Sequence, residues 1–176
     1  MPLRMLLGDS GESVVITDVV LQHFLRYQQL RSNQTEAGGQ LFGRIHDQTI
    51  MIEEATGPRR SDKRTRYSYI PDRRAEQREI DDRFSDGLHF LGDWHTHPEP
   101  IPNPSGIDLN NMRECVKKSR RAVSGFLLII VGSDSLPRAL HASLHDGKEA
   151  LSLTISDERS TENPSHASEE TPDLNK

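Results

Sequence analysis

A single cysteine, Cys115, stands in 176 residues, so no intramolecular disulfide can staple the chain. That scarcity suits a reducing, cytoplasmic setting. The thiol falls inside an expected helix and reads as a small buried hydrophobe rather than a nucleophile. Long apolar runs are also missing. The longest, residues 126–131, is far short of a membrane span, and Met5-Leu6-Leu7 is too short for a signal sequence. The expectation is a soluble protein with no membrane partner. Nor is there an excess of basic charge: 22 Lys and Arg stand against 27 Asp and Glu, for a net charge of -5. Residues 157–176 hold six acids and two bases, which leaves the preceding body nearly neutral. No global field demands a nucleic acid. That terminal stretch has only Ala167 and Leu174 as hydrophobic residues, too few to offset ordering entropy. It is expected to be an acidic disordered tail behind a single domain of residues 1–156.

What is present concentrates in one segment. His95 and His97 close an apolar run, Pro98, Pro100, Pro102 and Pro104 follow, and Ser105-Gly106-Ile107-Asp108 comes next. Strand side chains alternate between faces, so Leu91, Asp93, His95 and His97 should share one side, and Phe90, Gly92, Trp94 and Thr96 the other. The prolines forbid further strand or helix and force a turn. A helix expected over residues 105–120 then puts Asp108 in its first turn. Two imidazoles and a carboxylate are three protein ligands for zinc, one ion per chain, with a fourth position open for water as in catalytic sites. Ser105-x-x-Asp108 also has the form of a helix cap. The two readings are compatible. Other zinc chemistries are excluded on pattern. There is no Pro-Cys-x-x-Cys of the nucleobase deaminases and no His-Glu-x-x-His of the zincins.

The rest of the chain outlines a mixed α/β fold. Residues 14–17 read as a strand, and Thr17-Asp18 caps a helix with Val20, Leu21, Phe24, Leu25 and Leu30 on one side. Gly38-Gly39 breaks the chain before a hairpin of residues 41–45 and 49–53 about His46-Asp47-Gln48. A short strand at 66–70, an exposed charged helix at 72–84 and a strand at 88–97 precede the Ser105 helix. Residues 126–131 suit a central strand. Residues 140–144 and 151–155 form a last hairpin about His145-Asp146-Gly147. The basic run Arg59 to Arg66 reads as a solvated loop. His141 and His145, on strand and turn, are not expected to build a second metal site.

These residues resemble the JAMM, or MPN-plus, metallopeptidases. That pattern is a glutamate ahead of a small-residue strand start, then His-x-His-Pro, seven residues to a serine, and x-x-Asp. Glu36 before Gly38-Gly39, His95, His97, Ser105 and Asp108 match it in order, with residues 98–104 as the seven. The likeness covers about residues 10–155. It implies a JAMM/MPN-like, cytidine-deaminase-like mixed sheet flanked by helices, and a hydrolase for isopeptide or peptide bonds at the C-terminus of ubiquitin-like proteins. His95, His97 and Asp108 would hold zinc, Glu36 would be the general base, and Ser105 would bond the oxyanion.

Residues 92–102 are similar to the small deconjugating peptidases of bacterial CBASS antiphage operons. There the implied partners are a fused activating-and-conjugating enzyme and a cyclic-oligonucleotide synthase released from its conjugate. A peptidase processing a sulfur-carrier or other ubiquitin-like precursor is the alternative within the family. A non-catalytic scaffold would lack metal or acid residues, and none is missing. A nucleic-acid-linked role would call for a further domain.

Overall fold

The computed structural model describes residues 1–119 and 125–156. In chain order the elements are β1 (Leu3–Leu6), β2 (Ser13–Ile16), α1 (Asp18–Tyr27), β3 (Gly38–His46), β4 (Thr49–Ala55), β5 (Lys63–Thr65) and β6 (Ser68–Ile70). There follow α2 (Arg73–Ser85), β7 (His89–Thr96), α3 (Gly106–Lys118), β8 (Phe126–Val131), β9 (Leu140–His145), β10 (Ala150–Ser152) and β11 (Thr154–Ile155). Nine strands form one sheet in the order β10-β9-β8-β7-β3-β4-β2-β1-β11, and β5 pairs only with β6. The sheet is mixed, as expected: β2 with β4 and β7 with β8 run parallel, the other pairs antiparallel. No helix among the described residues is long and apolar enough to cross a membrane. The acidic stretch 157–176 lies outside the described residues.

Two apolar clusters sandwich the sheet. On one face Val20 and Phe24 of α1 pack on Ile16, Leu41, Ile52, Leu91, Trp94, Leu127 and Ile129. On the other, Met112 and Val116 of α3 cover Phe126, Leu128 and Ile130, with Phe90 and Cys115 beside them. Every residue of β8 is buried, which is why it reads as a continuous apolar run. Burial pushes the Cys115 thiol up to about 12, so it is the inert residue expected.

Several local expectations are corrected. Thr17 starts α1, but its hydroxyl caps nothing and is buried without a partner. The helix ends at Tyr27, so Leu30 is not on its apolar side and is 64% exposed. Gly38 and Gly39 do not break the chain; they open β3, and glycine is needed at 39 because a Cβ there would lie 1.9 Å from the Thr56 carbonyl oxygen. The N-terminal Leu3–Leu6 is a further strand, too short to display a period in the sequence. Residues 151–155 are not one strand of a hairpin. β10 pairs with β9, whereas β11 pairs with β1 at the opposite margin of the sheet. Only Leu153 separates them, a Cα span of at most about 7 Å, so the sheet must curl until its margins meet. Leu153 is buried in the α1-side core, and its N–H donates to the Ala142 carbonyl 2.9 Å away.

β7 also departs from simple alternation. Leu41 pairs with Gly92 and Phe42 with Phe90, which leaves Leu91 as the extra residue of a bulge. The phase slips there. Leu91 joins Trp94 in the α1-side core, while Phe90 stacks 5.0 Å from Phe126 on the α3 side. Gly92 takes a φ of 143°, and a Cβ on it would lie 2.0 Å from the Leu127 carbonyl oxygen. Gly92→Ala is therefore expected to cost about 2–5 kcal/mol through backbone strain and overpacking. Denaturant unfolding checks it, and a loss below about 1 kcal/mol, the ordinary mutational cost, would contradict the account.

Candidate active site

The carboxy end of β7 delivers both histidines. His95 is the penultimate residue of the strand, and His97 extends its pairing through an N–H donated to the Val131 carbonyl at 3.0 Å. Between them Thr96 is fully buried on the opposite face. Its Oγ1 accepts from the Ala37 N–H at 2.9 Å and donates to Gln29 Oε1 at 3.0 Å, and its own N–H donates to the Ala37 carbonyl at 2.8 Å. These bonds fasten the histidine-bearing strand to the residue after Glu36. Glu36 is itself gripped by β5, its N–H donating to the Thr65 carbonyl at 2.8 Å and its carbonyl accepting from Arg64 Nε.

From the other side comes α3. Ser105 is its N-cap: the Asp108 N–H donates to Ser105 Oγ at 3.2 Å, and the Ser105 N–H donates to Asp108 Oδ2 at 2.7 Å. The same carboxylate lies 3.2 Å from His95 Nε2 through Oδ1 and 3.5 Å from His97 Nε2 through Oδ2. The two Nε2 atoms are 3.1 Å apart. Capping and ligand readings of Asp108 are thus met by one side chain, and the cap fixes where the carboxylate points.

His95, His97 and Asp108 could hold a metal ion, one donor atom from each falling within 4.8 Å of the others. The spacing fits a small divalent ion. Bonds of about 2.0–2.2 Å in a tetrahedral arrangement place ligand atoms about 3.3–3.5 Å apart, against the observed 3.1–3.5 Å. Two imidazole nitrogens and a carboxylate oxygen are also a donor set such ions favour.

The electrostatics follow from burial and crowding. Burial opposes ionisation of Asp108, but bonds from His95 and His97 outweigh it and hold the carboxyl well below the usual range. Burial pulls His97 down, but the Asp108, Glu36 and Glu99 carboxylates together more than offset it, for a net rise. Glu36, only 6% exposed, is pushed up to about 7 by burial; His97 opposes the shift, and the charges of Asp108 and Glu99 add to it. A carboxyl balanced near neutrality can both take and return a proton. Ser105 Oγ accepts from the Asp108 N–H, its side chain also bonds the Asp108 carboxylate, and the residue is exposed.

All five residues singled out from the sequence therefore meet in one place. Missed were the residues that arrange them: Thr96, Gln29 and Arg64 act through pairings distant in sequence. The basic run is corrected as well, being no solvated loop at Arg59 and Arg64. Arg59 forks onto Glu79 of α2 with Nε–Oε1 at 2.8 Å, while Asp62 accepts from the Arg59 N–H at 2.6 Å and from the Tyr69 hydroxyl at 3.1 Å. His141 and His145 both lie on β9, bridged through Ser143 Oγ at 3.2 and 2.8 Å. Neither joins a cluster of three or more metal-ligating side chains among the described residues.

The chain as a whole resembles known proteins. The family described as prokaryotic homologs of the JAB domain matches residues 18–143. A CD-NTase/cGAS isopeptidase of Pseudomonas aeruginosa is 38% identical over 119 residues, spanning 66% of this chain and 75% of that protein. One of Vibrio cholerae serotype O1 is 35% identical over 124 residues, 68% and 76% of the two chains. A probable metalloprotease, y4qB, of Sinorhizobium fredii is 30% identical over 140 residues, 72% and 85% of the two. The solution structure of protein DSY2949 from Desulfitobacterium hafniense superposes with a TM-score of 0.56 at 18% identity, covering 78% of this chain and 87% of that one, a likeness of fold alone. With a family match across most of its length and relatives above 30% identity, the chain belongs to the prokaryotic homologs of the JAB domain.

Proposed function

We propose that this protein is a zinc-dependent isopeptidase that frees a protein conjugated through its C-terminus. The observation that carries the reading is the convergence of His95 Nε2, His97 Nε2 and Asp108, with a buried Glu36 in electrostatic reach of His97 and Asp108. His95, His97 and Asp108 would hold the zinc. Zinc bound there would polarise the scissile carbonyl and lower the pKa of a contacting water to roughly 7. Glu36 takes the proton of the attacking water on its carboxylate and hands it to the leaving nitrogen, which departs as a neutral amine. Ser105 turns its hydroxyl proton from the Asp108 carboxylate to the developing oxyanion while Oγ keeps the helix cap. The scaffold alternative is disfavoured because every group this chemistry needs is present and brought together.

The relatives named CD-NTase/cGAS isopeptidase support a finer substrate class. On this reading the bond is an amide at the C-terminus of a cyclic-oligonucleotide synthase, and cleavage opposes a bacterial activating and conjugating enzyme in antiphage defence. Trapping tests it. Glu36→Gln, expressed in the native host, is expected to copurify with a covalent protein conjugate that wild-type enzyme then cleaves. Recovery of nucleic acid without a conjugate would sink the deconjugase reading; a conjugate lacking any nucleotidyltransferase would sink the finer one.

A further inference from the structure

His97 is 8% exposed, and its Nδ1 is a buried nitrogen with no hydrogen-bond partner. With Nε2 committed to the Asp108 side, Nδ1 must carry the ring proton in a metal-loaded site. A buried donor left unmade costs about 1–3 kcal/mol. Glu99 Oε2 lies 3.6 Å away, a few tenths of an ångström beyond a hydrogen bond.

The backbone that carries Glu99 is anchored on the turn between β8 and β9. The Ser133 N–H donates to the Glu99 carbonyl at 2.8 Å and the Asp134 N–H to the Pro100 carbonyl at 3.2 Å. Gly132 makes room for this, since a Cβ there would lie 2.6 Å from the Glu99 oxygen and 2.5 Å from that of Pro100. Gln28 Nε2 in turn donates to the Gly132 and Asp134 carbonyls, both at 2.8 Å. With its main chain held and a proline on either side, Glu99 needs only a side-chain rotation to reach Nδ1.

We propose that Glu99 is a positioning residue for the metal, accepting the His97 Nδ1–H, fixing the ring's tautomer and plane, and making Nε2 a stronger donor. The inference rests on the metal-site reading above. A carboxylate behind a ligating histidine is typically worth 10–100-fold in metal affinity. As an exposed ion pair it would count for little, because 57% of the Glu99 side chain is open to solvent; its effect comes through the ring.

Zinc affinity of the full chain, measured by competition with a chromogenic chelator, tests this. Glu99→Ala is expected to weaken zinc binding roughly 10–100-fold. Glu99→Gln, which keeps an acceptor without the charge, should fall between it and wild type. Glu99→Asp keeps the charge but is one methylene too short, and should resemble Glu99→Ala. The metal-free variants should melt with wild type, because the bond matters only when the ring is a ligand. Wild-type affinity in Glu99→Ala overturns the inference and leaves the metal site standing. So does wild-type affinity in Glu99→Asp, which would leave charge as the cause, or a melting loss of several degrees without metal. A wild-type chain that takes up no zinc overturns both readings.

Discussion

Glu36→Gln is expected to slow cleavage of a conjugate by about 10²–10⁴-fold, the usual worth of a positioned general base, while the zinc content stays that of wild type. Glutamine preserves shape and hydrogen bonding but cannot take a proton from water. The main chain should not move, because Thr65 and Arg64 hold Glu36 by its N–H and carbonyl rather than by its side chain. Single-turnover rates with metal analysis check the result. A rate within a few-fold of wild type would remove Glu36 from proton transfer, and parallel loss of zinc would make it a ligand.

The same variant carries a stability signature in the metal-free chain. Burial raises the Glu36 pKa from its ordinary 4.5 to about 7, so between those values the folded state binds more protons than the unfolded. Stability then falls as pH rises through that window, by roughly 3 kcal/mol at most. Glutamine lacks this penalty. Metal-free Glu36→Gln should match wild type near pH 4.5 and exceed it above pH 7, and a pH-independent difference would deny the carboxyl its burial cost.

Asp108→Ala should do more damage to function and less to the fold. It removes one of the three converging donors, so zinc retention and turnover should both collapse. It also removes the acceptor of the Ser105 N–H at the start of α3, worth about 1 kcal/mol as a cap, or about 2–4 °C in melting temperature for a chain of this size. Asp108→Asn separates the roles, since an amide oxygen can still accept from Ser105 but is a poor, neutral ligand. Its melting temperature should return towards wild type while zinc stays lost. Full zinc retention in the alanine variant would show that the metal is held elsewhere.

Asp108 and Glu36 are unequally legible in the sequence. Asp108 could be read directly because its partners lie within one short stretch, where strand period, prolines and a cap pattern each constrain the next step. Glu36 could not: its nearness to the histidines is a product of β3 pairing with β7, Gly38 opposite His95, and only the family resemblance singled it out. The bulge at Gly92 was hidden for another reason. A lone glycine in an apolar run gives no sign of which neighbour becomes the extra residue, so simple alternation predicts the wrong face for Leu91 while still keeping both histidines together. The Arg59 network was misread because a run of cations looks solvated until α2 supplies its acids. The succession of helices and strands along the chain is largely legible, except at the short strands Leu3–Leu6 and Lys63–Thr65 and where Leu153 divides what reads as one.

That division at Leu153 bears on how the protein is made. As the chain leaves the ribosome, β9 and β1 each wait as bare strand edges, and bare edges pair readily with other chains. Both are covered only when residues 150–155 emerge, by pairings that in the case of β1 span nearly the entire domain. Such distant pairings close slowly. The nascent domain therefore stays open to mispairing until almost its last described residue, and a nonsense codon just before Ala150 would expose two edges at once.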